Sequence, residues 1–370
     1  MHKLLTDRGK KMLMWGDIVL KHPGLIPLIP KNITLLDWGY EAGYPFEKNS
    51  KILQEAGLDY MVCPGTNSWT TITGRTDNML ATIGSAAKNG AINGAKGLLL
   101  TDWGDMGHWQ YLPVSYAGYT AGAALSWNSR SEKEMPLGKF LSCYVFRDKK
   151  GIMGDLVLDL GRYYRFEEFP MLNMTTSMMA FQLGLRDKIM VNAIFEKIIT
   201  GISEMMKEIA PEMVEGFMEQ YRNRLKFDYQ GLNNFLASKQ ELLMESSVGT
   251  PDSSLVKDEY LNAIRLIRLG SGLKSYIESR SSLSSDDQKS QLKVLRELGT
   301  NYLEDNKRLW LSRNRPGGYD RSTAVLNNLM NQIDKRIILL EKPAPARWFN
   351  RILERTGIAG AALYIGTMLH

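Results

Sequence analysis

The residues best suited to chemistry lie in one short stretch, Asp102, Trp103, Gly104, Asp105, Met106, Gly107, His108 and Trp109, entered from the apolar run Leu98, Leu99, Leu100. Two carboxylates, two indoles and an imidazole in one loop suit a sugar: an indole face stacks on the C–H face of a pyranose, and carboxylates accept from its hydroxyls. Asp102 and Asp105 could form a glycosidase-type pair with His108 as a hydroxyl partner; equally, Asp102 could cap the following turn and Trp103 fill space. The pattern recurs at Asp37, Trp38, Gly39, Tyr40 and Glu41, and more thinly at Trp15, Gly16 and Asp17. Pro64 and Gly65 make a turn before Thr66, Asn67, Ser68 and Trp69, where the last indole reads as a sugar platform or as a core or lid residue. Cys63 ends an apolar run, and a Cys63–His108 nucleophile gives way to the commoner reading of a buried thiol. No glycine pattern matches a dinucleotide or phosphate loop, so no cofactor is expected.

Each chemical cluster follows an apolar run, which sets the elements that must position it. Residues 11–15, 33–38, 60–63 and 97–101 read as strands, and 46–56, 76–89 and 116–127 as the helices between and after them. Near-continuous apolar strands separated by helices imply a parallel sheet with helices on its faces. The clusters then fall at the C-terminal strand ends, which is the active face of a (β/α)8 barrel and the ligand crevice of a doubly wound sheet. Only four such units are visible, whereas a closed barrel needs eight.

Beyond these units the chain turns helical. Residues 176–199, 202–208, 212–238, 253–279, 286–310 and 322–340 fit helices, with turn signals at Pro211, Gly249 to Pro251 and Arg315 to Gly318. The methionines at 171, 174, 178, 179 and 190 read as core filling. The segment from Trp310 to Tyr319, with two arginines and a Pro-Gly-Gly turn, reads as a helix end or domain interface. The chain has 370 residues, 44% of them hydrophobic and 23% charged, with 2 Cys and 4 His. That composition excludes disorder, a disulfide scaffold and a multi-cysteine or histidine-rich metal centre. The net charge of +6 is dispersed, which argues against nucleic acid. No apolar run reaches signal-peptide or membrane-span length, so no membrane partner and a cytoplasmic location are expected.

The segments Trp15 to Asp17, Asp37 to Tyr40, Val62 to Trp69 and Thr101 to Trp109 together resemble the second half of the catalytic barrel of glycoside hydrolase family 20, the β-N-acetylhexosaminidases. Arg313 to Gly318 resembles part of the helical C-terminal region of bacterial members. The resemblance covers residues 11–130 and 300–325. It implies an α/β fold of (β/α)8 TIM-barrel type, with barrel strands 5–8 over residues 1–135, a transition over 136–171 and an all-α domain over 172–370. It implies removal of terminal β-linked N-acetylhexosamine (GlcNAc or GalNAc) from glycans by a retaining, substrate-assisted mechanism, without metal or cofactor. In that mechanism a glutamate protonates the glycosidic oxygen and a preceding aspartate steadies the acetamido group. The adjacent Asp-Glu pair belongs at the end of the fourth barrel strand and is expected before residue 1; Asp258 and Glu259 fall in a helical stretch. What carries over is a sugar-binding wall of Trp15, Asp17, Trp38, Tyr40, Glu41, Trp69, Asp102, Trp103 and Asp105, with His108 and Trp109 at its rim. Tyr40 and Asp37 both remain open as the acetamido partner. The absent pair gives weight to an alternative, a non-catalytic carbohydrate-binding or interaction protein that keeps the aromatic wall. A half-barrel would also expose sheet edges, so self-association or a missing N-terminal half is expected alongside the glycan as a partner.

Overall fold

The computed structural model describes residues 1–130, 135–208 and 210–342. The expected strands form where the apolar runs place them: β1 is Met12–Trp15, β2 Ile33–Trp38 and β3 Asp59–Cys63. They build a three-stranded parallel sheet in the order β1-β2-β3, with Leu13 opposite Thr34, Trp15 opposite Leu36 and Trp38 opposite Cys63. Residues 97–101 run beside β3 and join it only through the bridges Val62–Leu98 and Gly65–Thr101.

The helices are α1 His2–Thr6, α2 Asp17–Lys21, α3 Phe46–Glu55, α4 Thr76–Ile92, α5 Tyr116–Trp127, α6 Leu137–Phe140 and α7 Met153–Leu160. There follow α8 Thr176–Leu183, α9 Lys188–Lys207, α10 Pro211–Arg222, α11 Tyr229–Glu245, α12 Ser253–Ser279, α13 Ser285–Arg313 and α14 Tyr319–Glu341. Helix boundaries follow local chemistry. Gly184, at φ 59°, stops α8 where the sequence pattern suggests a longer helix, and the Asp187 side chain then accepts from Met190 N to start α9. Asp148 accepts from the N–H groups of Ile152 and Met153 at 2.7 and 2.9 Å, opening α7 in a stretch read only as a transition.

The expectation of half a (β/α)8 barrel is overturned. The molecule is mostly helical around a small sheet, and no barrel is evident. The strand–helix alternation stops after residue 101, and no further strand follows among the described residues. One face of the sheet packs on its helices through Leu35, Tyr60 and Val62, together with Phe46 and Leu53 of α3 and Ala86 of α4, and Met12 and Met14 join that cluster. On β1 the alternate residues point away from it: Leu13 is 48% exposed and Trp15 41%. The largest core lies elsewhere. It joins Met79 and Ile83 of α4 and Trp109 to Tyr260, Ile264 and Ile267 of α12, Leu292 and Leu295 of α13, and Leu326 and Ile333 of α14. Met171 and Met179 fill a smaller cluster with Phe169 and Phe217, and Met178 lies in the large core. Among the described residues no helix is long and apolar enough to cross a membrane.

Candidate functional site

The C-terminal ends of the strands bring four aromatic rings and a carboxylate into a closed circuit. Trp15 lies 6.4 Å from Trp103, centroid to centroid, with the rings at 45°. The Trp103 indole N–H donates to Tyr40 Oη at 2.9 Å, and Tyr40 stacks on Trp38 at 5.1 Å. The Trp38 N–H in turn donates to Asp17 Oδ1 at 3.2 Å, two residues on from Trp15. Trp103 is 40% exposed, close to Trp15, so both indoles present free surface. Burial raises the Tyr40 hydroxyl above its ordinary pKa against hydrogen bonds from Thr101 and Trp103, so it enters the site as a neutral phenol.

Asp102 borders this circuit and is exposed. Its Oδ1 accepts from Thr66 at 2.6 Å and Ser68 at 2.7 Å, and its Oδ2 from Tyr119 at 2.7 Å. Three hydroxyls fix the carboxylate in orientation and leave it an acceptor toward solvent. Tyr119, on α5 and 39% exposed, was not singled out in the sequence; the signal available was a tyrosine among the small residues following the fourth apolar run. Burial is the main cause that raises the Tyr119 hydroxyl, with Asp102 adding to it. Asp105 and His108 are both exposed, and His108 meets the Trp310 ring edge-on at 6.4 Å, which turns the segment 310–319 toward this loop.

Other expected wall residues serve the scaffold. Trp69 is 1% exposed, its N–H donates to Asn173 Oδ1 at 2.8 Å and its ring meets Tyr40 edge-on at 5.0 Å, so it supports the wall from behind rather than stacking on a sugar. Trp109 is 4% exposed, donates to Ser322 O at 2.7 Å and packs on Phe181 at 5.3 Å; it belongs to the core, not the rim. Glu41 receives both Arg75 Nη atoms at 3.1 and 2.6 Å and Asn173 N at 2.7 Å. Burial raises its pKa and Arg75 opposes that shift, which makes Glu41 a clamp between loops. Asp37 is wholly buried and accepts from Tyr44 at 2.8 Å and Asn49 at 3.1 Å, so it cannot meet an acetamido group; of the two candidates only Tyr40 reaches the surface. Cys63 is buried, and desolvation pushes its thiol up to about 12, with Asp37 adding to the shift, which leaves it no thiolate for nucleophilic chemistry.

The loop between β3 and α4 holds its shape under strain. Thr70 and Ile72, both β-branched, have φ of 56° and 72°, in a region such residues rarely adopt. Surrounding bonds hold them there: Thr70 donates to Asn173 O, Thr71 to Ser68 O and Tyr163 to Thr71 O. Gly39 and Gly65 are required by close approach, since a Cβ would lie 2.1 Å from the Tyr44 ring and 2.4 Å from the Trp69 ring respectively.

No protein-family model matches this chain, and no curated protein matches it in sequence.

Proposed function

We propose that this chain binds glycans carrying terminal N-acetylhexosamine on the wall formed by Trp15, Trp38, Tyr40 and Trp103, with Asp17, Asp102 and Asp105 as hydroxyl acceptors. The observation that carries this reading is the pairing of two half-exposed indoles with Asp102, an exposed carboxylate already oriented by three hydroxyls. Apolar ring faces beside fixed acceptors are what a pyranose demands; the choice of an N-acetylated sugar rests on the sequence resemblance. Hydrolysis of β-linked N-acetylhexosaminides is the second reading, favoured by Asp102 and Asp105 lying together on the exposed loop. The free thiols Cys63 and Cys143 suit a reducing compartment, and we take the cytoplasm as the setting.

Two measurements on the purified full chain separate these readings. Calorimetric titration with N-acetylglucosamine oligomers gives saturable binding, weakened by Trp103→Ala and Asp102→Asn; absence of heat with every oligomer overturns glycan binding. Hydrolysis of 4-nitrophenyl N-acetyl-β-glucosaminide, with Asp102→Asn and Asp105→Asn in parallel, decides the enzyme. A rate lost in one variant establishes a glycosidase, and a folded chain that binds but does not hydrolyse is a lectin-like binder.

A further inference from the structure

A cavity of about 100 Å³ opens among α8, α9, α10 and α12 and shares no residue with the aromatic circuit. At about 30 Å³ for each water, that is space for a group of a few heavy atoms. Its floor is apolar, from Met179 and Leu183 of α8 and Ile277 of α12. One side is aromatic, from Phe169 just before α8, Phe195 of α9 and Tyr221 of α10. Phe169 meets Phe195 at 5.7 Å and 81° and Tyr221 at 5.2 Å and 71°, and Phe195 lies 6.2 Å from Tyr221 at 39°. Rings set across one another form a corner, not a flat stack. Phe169 is buried, whereas Phe195 and Tyr221 are half-buried at the opening.

Glu168 and Glu278 line the same cavity. Glu168 accepts from Lys274, which also donates to Thr176 Oγ1 at 3.1 Å. Glu278 stands one helical turn beyond Lys274 on α12, so two carboxylates share this one inner ammonium. Desolvation raises the Glu278 carboxyl; Lys274 opposes the shift and the neighbouring Glu168 adds to it. The remaining charged residues, Lys188, Glu196 and Arg224, are exposed at the rim, where water screens them. There the Arg224 guanidinium sits 4.6 Å from the centre of the Tyr221 ring, so this ring cluster already receives a cation from the chain itself.

We propose that the cavity binds a small organic cation bearing a methylated ammonium head, with Phe195 and Tyr221 against its methyl groups and Glu278 beside Glu168 balancing its charge. Such a head spreads positive charge over apolar methyls and has no N–H left to satisfy, so it suits aromatic rings and an apolar floor together. A primary ammonium would need three acceptors there, a neutral group would leave Glu278 uncompensated, and an anion would meet both carboxylates.

Titration of the full chain with choline, followed by proton NMR, tests this. The trimethylammonium line moves upfield and saturates at roughly millimolar concentration, as expected for so few atoms against aromatic rings. The neutral isostere of choline, with a tert-butyl group in place of the trimethylammonium, binds about tenfold more weakly. Phe195→Leu keeps apolar volume but loses the ring, and weakens choline by about tenfold; Glu278→Gln, at an exposed position, weakens it about threefold or more. Circular dichroism confirms that each variant is folded. The proposal is overturned by an absence of saturation, by an isostere that binds as tightly as choline, by hexanoate binding in place of choline, or by affinity indifferent to both variants. Trp103→Ala leaves choline affinity unchanged. Loss of choline in that variant alone would move the cation to the aromatic circuit and sink the assignment, whereas glycan binding is read by its own titration.

Discussion

Trp103 couples two functions in one side chain: its N–H fixes Tyr40 while its exposed face stays free to stack. Trp103→Ala therefore weakens N-acetylglucosamine oligomer binding by about 1–2 kcal/mol, roughly five- to thirtyfold, in a calorimetric titration. Trp127→Ala, at an indole 93% exposed and outside the circuit, leaves affinity unchanged and serves as the control. Asp37 makes a different prediction. Burial lifts its pKa from 3.8 to about 7, against hydrogen bonds from Tyr44 and Asn49 that lower it, and its Oδ2 has no hydrogen-bond partner among the described residues. Between those two values the folded chain holds a proton that the unfolded chain has released, so stability falls as pH rises through the window and levels off above it. This term amounts to on the order of 4 kcal/mol between about pH 4 and about pH 8, and Asp37→Asn removes it, as urea midpoints for the two proteins across that range will show. Residue type and position after a strand revealed Trp15, Trp38, Tyr40, Asp102 and Trp103 as neighbours. They did not reveal that Trp69 and Trp109 face inward, because an indole in a polar loop reads the same whether its partner is a sugar or Asn173 and Ser322.

At the scale of elements, the site depends on how closely α5 approaches the loop after β3. Gly118 makes that approach possible, since a Cβ there would sit 2.8 Å from Thr66 Cα. Gly118→Ala forces α5 and the loop apart and costs about 1–3 kcal/mol of stability. It also displaces Thr66 and Tyr119 from Asp102, so glycan affinity falls together with the denaturation midpoint. The small-residue face of this helix was legible in the sequence, as were the three strands, because each rests on local periodicity. Helix ends were less legible. Residues 212–238 carry one continuous helical pattern, yet the chain breaks between Arg222 and Tyr229, where Asp228 accepts from Gly231 N and starts α11 afresh. The barrel failed for a related reason. Four strand–helix repeats specify a parallel neighbourhood, whereas closure depends on long-range partners that local periodicity does not encode.

For the whole molecule, the first 127 residues and the helical remainder share the largest core, where Met79, Ile83 and Trp109 pack among residues of α12, α13 and α14. Calorimetry on the full chain will show one cooperative unfolding transition; two resolved transitions would sink this expectation. The same sharing sets the order in which the protein can be made. Trp109 donates to Ser322 O across 213 positions of chain, and Ser322 donates back to Gly107 O. A chain emerging from the ribosome presents Asp102 and Trp103 early, on a loop whose anchor has yet to be synthesised. Local helices and the strands can form meanwhile, but this long closure waits for α14. The loop that carries the proposed site is thus among the last parts of the nascent chain to be anchored, and synthesis that stops short of α14 yields a sheet and helices without a finished wall.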